Sequence, residues 1–280
     1  MDAELIKQFI TNSLREDVGD GDHTSLATIP AGTQGKAKLL VKDEGILAGV
    51  ELAAEIFKVV DPQLTLNVFL QDGVVIKQKD IAFEVEGSVH SILVAERLVL
   101  NCMQRMSGIA TLTRQIVDLL KGTNTRVLDT RKTTPGLRYI EKWAVRIGGG
   151  VNHRFGLYDM ILIKDNHVDY SGGVRQAIEN AHEYLRSNKK LAIEIEVRNF
   201  DELEQVLQSG GVDRILLDNF NYRDLKTAVN MIDGRYITEA SGGITLDNVI
   251  DFAACGVDYV SMGALTNSVK SLDLSLKAVK

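Results

Sequence analysis

The sequence predicts an α/β protein, an incomplete (β/α) barrel preceded by an N-terminal α+β domain. Three observations predict it. From residue 126 onward, six short apolar runs ending in polar or glycine residues alternate with amphipathic segments of helical period. Their spacing is nearly even, and no G-x-G-x-x-G follows a strand, which favours a barrel over a doubly wound sheet. Residues 1–90 instead mix helices with short alternating strands. Six visible units fall short of the eight of a full barrel, so the barrel is expected to be incomplete. The expected domains are 1–108 and 109–266, with the tail 267–280 left to return to the first.

The N-terminal stretch MDAELIKQFITNSLREDVGDGDHTS has mixed charges and no continuous apolar region. It is expected to be an amphipathic helix, not a signal peptide. Asp20, Asp22 and His23 suggest a metal loop, but the EF-hand spacing fails because the twelfth position from Asp17 is Thr28; a turn is expected. GKAKLLV, LTLNVFL and IAFEVEG are expected strands, and GVELAAEIFKVV between them an expected helix. Residues 91–122 are expected to form two helices broken near Ser107-Gly108, with Ser91 as N-cap. The barrel strands are RVLDT, MILIKDN, LAIEIEV, RILLDN, YITEASG and YVSMGA. Helices are expected to start near Gly136, Gly173, Phe200, Tyr222 and Leu246. The first of these, GLRYIEKWAVRIGGG, is amphipathic with a glycine stop, and Arg138, Lys142 and Arg146 on it are expected to be exposed charges.

Composition removes several classes of function. The 280 residues are 45% hydrophobic and 25% charged, which is ordinary globular composition. The net charge of −6 argues against general nucleic-acid binding, and no apolar stretch approaches the ~20 residues of a membrane span. Cys102 and Cys255 have no metal spacing and suit a reducing, cytoplasmic location. Charge is unevenly placed, however. Residues 126–167 carry eight Lys/Arg against four Asp/Glu, a cationic island in an acidic chain that also holds His153 and His167.

In a (β/α) barrel, chemistry gathers at the C-terminal ends of the strands. Those ends carry Thr130, Arg131 and Lys132; Lys164 to His167; Glu194 and Glu196; Asp218 and Asn219; Glu239 to Gly243; and Met262, Gly263 and Ala264. Arg131, Lys132, Arg154 and Lys164, with His153, imply a ligand bearing several negative charges. Glu196 and Asp218 suit sugar hydroxyls, a bound Mg²⁺ or a developing cation; Glu194 shares the parity of Glu196, so either is able to face inward. The SGG of 241–243 and the MGA of 262–264 offer backbone N–H groups to a phosphate. Together these residues point to a phosphosugar enzyme, a glycosyl transfer with an anionic acceptor.

At these residues the sequence resembles the quinolinate phosphoribosyltransferase family. The likeness is carried by AERLVLNCMQRMSGIAT (95–111), DTRKTTPGLRYIEKWAVRIGGGVNHRFGLYDMILIKDNH (129–167), EIEV, ILLDNF, EASGGI and GVDYVSMGALTNS, and it includes EDVGDGDHTS near the N-terminus. It departs at Asn267, where a histidine is expected after GALT; the position lies beyond the phosphate loop and is not expected to change the reaction. The resemblance implies that quinolinate and phosphoribosyl pyrophosphate give nicotinate mononucleotide, pyrophosphate and CO₂, with Mg²⁺ as cofactor. It implies a homodimer, with hexamers possible for such subunits, in which Arg105 reaches the partner's site. By the same carry-over, Thr130, Arg131, His153, Arg154 and Lys164 hold quinolinate and Lys132 meets the pyrophosphate. Glu196 and Asp218 act on the ribose and hold the metal. Ser241, Gly242, Gly243, Met262, Gly263 and Ala264 hold the 5′-phosphate.

Three rivals remain at this level. One is a phosphoribosyltransferase for another acid such as nicotinate, although one carboxylate leaves the cation cluster in excess. Another is a Schiff-base aldolase using Lys164. A third is a sensor that binds a phosphosugar without turning it over.

Overall fold

The structure is a computed structural model and describes residues 3–188 and 190–279. The chain divides into two compact units, residues 1–114, 134–149 and 269–280, and residues 115–133 and 150–268. The sequence places the boundary at 108/109; contacts divide the chain at Arg114 and return 134–149 to the first unit.

The first unit contains α1 (Ala3–Val18), α2 (His23–Thr28), β1 (Gln34–Val41), β2 (Gly45–Ile46), α3 (Val50–Val60), β3 (Thr65–Val68), β4 (Val75–Ile76), β5 (Ile81–Ser88), most of α4 (Val89–Leu119), α5 (Arg138–Gly148) and β12 (Leu274–Ala278). Its main sheet is antiparallel in the order β12-β1-β5-β3, so the C-terminal strand pairs with β1. The alternation in GKAKLLV buries Ala37, Leu39 and Val41 on one face. Phe83 of β5 packs there edge-on against Phe57 of α3, with ring centroids 5.9 Å apart. Asp22 caps α2, accepting from the backbone N–H and hydroxyl of Ser25. The GDGDHTS segment is thus a turn into a short helix.

Three expectations change here. Residues 89–119 form one unbroken helix, and Gly108 sits inside it. The glycine answers to packing: a Cβ at 108 would collide with the carbonyl oxygen of Lys270. Ser91 is not the cap; its N–H is accepted by Ser88 Oγ, and its own hydroxyl donates to Asp61 (2.8 Å). Lys142 is not an exposed helix charge but is buried at 2% exposure, beside the fully buried Glu141. The glycine stop holds: Gly149 adopts φ 97° at the C-terminus of α5.

The second unit contains β6 (Arg126–Leu128), β7 (Ile161–Ile163), α6 (Asp165–Ser171), α7 (Val174–Arg186), β8 (Ile193–Val197), α8 (Phe200–Ser209), β9 (Arg214–Asp218), α9 (Tyr222–Ile232), β10 (Ile237–Ser241), α10 (Val249–Ala253), β11 (Tyr259–Ser261) and α11 (Ala264–Asn267). Six parallel strands run in the order β6-β11-β10-β9-β8-β7. The first strand pairs with the last, as closure of a barrel requires, while β6 and β7 do not pair. A single parallel bridge, Leu128 to Val151, lies beyond β6 on that side. This is the incomplete barrel. Covered on both faces, β8 has all five residues buried, so parity sets which side chains enter the interior.

Candidate active site

Strand register assembles the site. Glu196 lies opposite Leu216 across β8 and β9, while Glu239 and Ser241 of β10 lie opposite Leu216 and Asp218. With Leu162, Lys164 and Ser261, these side chains line one cavity of about 690 Å³ at the C-terminal ends of the strands. Thr130, Arg131, Lys132, His153, Arg154, Asn219, Gly242, Gly243 and Gly263 complete its lining.

The loop after β6 is fixed through its backbone. Lys132 N–H donates to Thr130 Oγ1 (3.0 Å), and the Lys132 carbonyl accepts from the Thr266 hydroxyl (2.9 Å). Both strand-end cations are thereby presented to the cavity without tying down the lysine side chain. Buried Asp129 holds the facing loop, accepting from Asn152 Nδ2 (2.6 Å) and from the His153 N–H (2.8 Å). Arg154 Nη1 donates to the Met160 carbonyl (3.1 Å), while its Nε is buried with no hydrogen-bond partner. Burial first, and the nearby Arg131 charge second, push the Arg154 pKa down. Two guanidinium groups that oppose each other's charge in a cavity are a seat for an anion.

Lys164 Nζ pairs with Glu196 Oε2 at 3.2 Å, and Lys164 N–H donates to His167 Nδ1 (2.9 Å), so His167 orders this loop. Asp218 accepts from Asn219 Nδ2 at 2.6 Å. Asn219 itself adopts φ 57° and donates its N–H to the Ser241 carbonyl. Gly242, at φ 101°, has no room for a Cβ beside the Asn219 side chain. Asn248 Nδ2 donates to the Gly243 carbonyl (3.0 Å), closing a glycine loop with its N–H groups available for a phosphate.

Some expected residues lie elsewhere. Met262 is buried at 3% exposure, and neither it nor Ala264 lines the cavity; Ser261 and Gly263 do. Arg105, in the first unit, donates through Nε and Nη2 to Glu141 Oε1 (3.1 and 2.8 Å) and through Nη2 to Thr134 Oγ1 (3.2 Å). His153 points its ring to the barrel floor. Its Nδ1 accepts the Arg154 N–H (2.7 Å), and its Nε2 lies 3.1 Å from Glu194 Oε2 and 3.5 Å from Glu239 Oε2. Glu194, Glu239, Arg214, Asn219, Asn248 and Ser261 were not assigned roles from sequence; the signal for the two glutamates is an acid at inward parity inside an apolar run.

The two floor carboxylates are both raised, to about 7, chiefly by burial; for Glu239 the charge of Glu194 adds to it. Among the described residues, His153, Glu194 and Glu239 are the one group of three able to gather around a metal ion. Arg214 Nη1 already stands 3.0 Å from Glu239 Oε2 and supplies positive charge there. Glu196 and Asp218, higher on the wall, are the oxygen donors that face the cavity without a resident guanidinium.

Fold and site define a barrel enzyme whose mouth takes a polyanionic small molecule and a phosphate. The chain belongs to the quinolinate phosphoribosyl transferase family: that family's N-terminal domain matches residues 22–107, and its C-terminal domain matches residues 109–277. It is 46% identical over 289 residues to quinolinate phosphoribosyltransferase (decarboxylating) 1b of Nicotiana tabacum, covering 97% of this chain and 82% of that one. It is likewise 46% identical, over 97% of this chain and 82% of the relative, to the chloroplastic nicotinate-nucleotide pyrophosphorylase (carboxylating) of Arabidopsis thaliana. The solved structure of NadC from Streptococcus pyogenes superposes with a TM-score of 0.93 at 38% identity, over 100% of this chain and 99% of that one.

Proposed function

We propose that the protein transfers the phosphoribosyl group of phosphoribosyl pyrophosphate to quinolinate, forming nicotinate mononucleotide, pyrophosphate and CO₂ in NAD biosynthesis. The observation that carries this is the Arg131–Arg154 pair, with the buried, unpartnered Arg154 Nε, set beside Lys164 in the same cavity. Quinolinate is a dianion, and these three cations, with Thr130, match its two ring carboxylates. Lys132 meets the pyrophosphate, and the loop Ser241 to Gly243 with Gly263 holds the 5′-phosphate.

The pyridine nitrogen attacks the anomeric carbon as the bond to pyrophosphate breaks. Positive charge that develops on the sugar faces Glu196 and Asp218. The quaternised ring nitrogen stabilises the carbanion left on the adjacent ring carbon when the carboxylate departs as CO₂, and that carbon then takes up a proton. The chain supplies orientation and charge rather than a covalent nucleophile. The carboxylate oxygens of Glu196 and Asp218 are hard donors on one wall of the cavity, and they fit Mg²⁺. When bound there, the ion neutralises phosphate charge.

A homodimer belongs to this proposal, with Arg105 acting in the partner's cavity and larger assemblies such as a hexamer built from dimers. In its support, Glu141 holds the Arg105 guanidinium in a fixed pose, and Leu157, Tyr158 and Tyr170 are apolar side chains left exposed. Among the described residues no helix is long and apolar enough to cross a membrane. The two cysteines are unbridged and buried, and we assign the protein to the cytoplasm.

The test is product formation from phosphoribosyl pyrophosphate and Mg²⁺, with quinolinate and nicotinate supplied separately and both CO₂ and pyrophosphate followed. CO₂ and nicotinate mononucleotide from quinolinate, with little turnover of nicotinate, is the expected result. Equal pyrophosphate release from nicotinate overturns it, as does trapping of a borohydride-reducible adduct on Lys164.

A further inference from the structure

Lys164 stands at the least supported place on the barrel wall. It follows β7, a three-residue strand at the end of the sheet order, which pairs with β8 and with no other described strand. Glu196, by contrast, lies near the end of a strand held on both sides, by β7 and by β9. Lys164 is also the N-cap of α6, and its N–H donates to His167 Nδ1 (2.9 Å). The lysine therefore goes where α6 goes, and α6 has to be fixed against β8.

Arg198 makes that link. One residue past β8, its Nη1 and Nη2 donate to the two carboxylate oxygens of Asp169 on α6 (3.2 and 2.9 Å). Its Nε donates to Glu202 Oε1 (2.9 Å), and its main-chain N–H donates to Glu202 Oε2 (2.7 Å). Glu202 is buried in the first turn of α8, where its own N–H is capped by Asn199 Oδ1 (2.9 Å). An isolated exposed ion pair contributes little, because two long side chains must be ordered to make it. Here a buried carboxylate has already ordered the guanidinium, so its remaining fork meets Asp169 bidentately. The hydrogen bonds from Arg198 hold the Asp169 carboxyl below its ordinary pKa.

None of Asp169, Arg198 and Glu202 lines the cavity. The clamp nonetheless joins the two segments that carry Lys164 and Glu196, whose side chains meet at 3.2 Å. In the reaction proposed above, Lys164 turns to a quinolinate carboxylate and Glu196 to the ribose and its metal. Their direct pair then no longer ties the segments together, and the clamp is the link that persists.

We propose that Arg198 is a positioning residue: gripped by Glu202, it holds α6 through Asp169 and thereby sets Lys164 in the dicarboxylate subsite. This rests on quinolinate being the acceptor. Because the clamp secures the edge segment and not β8 itself, its loss acts on Lys164 and spares Glu196.

The experiment starts from Asp169→Ala, at an exposed position whose truncation leaves the contact between Arg198 and Glu202 in place. KM for quinolinate is expected to rise about tenfold, as loss of an outer partner does at comparable sites, with KM for phosphoribosyl pyrophosphate held within about twofold. Arg198→Met should match it, and Arg198→Lys, which keeps a charged contact to Asp169, should recover part of the loss. In a Lys164→Ala background, Asp169→Ala should change KM for quinolinate by less than about twofold, because the clamp has nothing left to position. A merely destabilised barrel lowers the active fraction, and so apparent kcat, while leaving both KM values alone. Hydrogen exchange reads the clamp without substrate: amides of residues 164–171 should exchange faster in Asp169→Ala than in wild type, while those of β8 keep their protection. An unchanged quinolinate KM in Asp169→Ala, equal rises in both KM values, a full additional rise in the Lys164→Ala background, or unaltered exchange over 164–171 overturns the proposal. Wild-type protein that fails to use quinolinate overturns the substrate assignment instead, and the exchange data then decide by themselves whether Arg198 fixes α6.

Discussion

Arg131 and Arg154 differ in what holds them, and the difference predicts different losses. Arg154 is half-buried and anchored to the Met160 carbonyl, whereas Arg131 is more exposed, in the loop that follows β6. Removing the guanidinium in Arg131→Ala deletes charge-assisted hydrogen bonds to a carboxylate, each worth about 1.5–3 kcal/mol. We expect kcat/KM for quinolinate to fall by about two orders of magnitude or more, with an unchanged urea unfolding curve; near-normal kinetics would remove Arg131 from the subsite. Residues of this kind were legible in the sequence because strand ends in a barrel point to one mouth, so adjacent cations there have one destination. Glu194 and Glu239 were harder to place, since an acid inside an apolar run has the right parity but no visible partner. The contacts that explain them, to His153 and Arg214, join four separate segments and exist only once the barrel is wound. At the MGA strand end, parity sends the Met262 side chain into the core and presents Ser261 and Gly263 to the cavity.

Among the elements, the six barrel strands and their helices follow directly from apolar runs of even spacing, and five helix starts fall close to the expected residues. The long helix α4 did not, because a glycine reads as a break when its tertiary neighbour is unseen. Gly108 lies against the Lys270 backbone. In Gly108→Ala, helix propensity favours the alanine by about 1 kcal/mol, while overpacking against backbone costs about 1–3 kcal/mol or more. The clash wins because a main-chain carbonyl has no rotamer with which to yield. Net destabilisation by on the order of 2 kcal/mol is expected in urea unfolding, and a stabilised variant would contradict the close approach. The strand pair β8 and β10 carries a pH signature. Glu194 and Glu239 have folded-state values raised above the ordinary 4.5, so the folded state binds the proton more tightly than the unfolded chain. Their contribution is fully present below about pH 4.5 and is lost as pH rises toward about 7, where the buried pair must give up its proton. Between about pH 5 and 8 the wild-type unfolding free energy should therefore decline by on the order of 2 kcal/mol beyond that of Glu239→Gln. Parallel curves for the two proteins would show that the pair carries no raised affinity for protons.

At the scale of the whole molecule, the proposed homodimer divides one active site between two chains, and that division has an arithmetic consequence. If Arg105 serves the partner's cavity, Arg105→Ala and Arg131→Ala are each inactive as homodimers for different reasons: one lacks the donated guanidinium in both sites, the other lacks the strand-end guanidinium in both. Unfolding and refolding an equal mixture pairs chains at random, so about half of the dimers contain one chain of each kind. In such a dimer, the cavity of the Arg105→Ala chain keeps its own Arg131 and receives Arg105 from the other chain. It is whole. The second cavity lacks both arginines. One site in two, in half of the dimers, restores about a quarter of wild-type activity per chain. If Arg105 instead served the cavity of its own chain, every site in the mixture would lack one arginine, and co-refolding would restore nothing. The pose of Arg105 on Glu141 bears on the size of the recovery, because a guanidinium gripped at Nε and Nη2 by a buried carboxylate enters the partner's site without first being ordered. Glu141→Gln in the Arg131→Ala chain weakens that grip and should lower the recovered quarter while leaving dimer formation, read by sedimentation, as it was. Recovery unaffected by Glu141→Gln would mean that Arg105 is ordered by the partner's cavity itself.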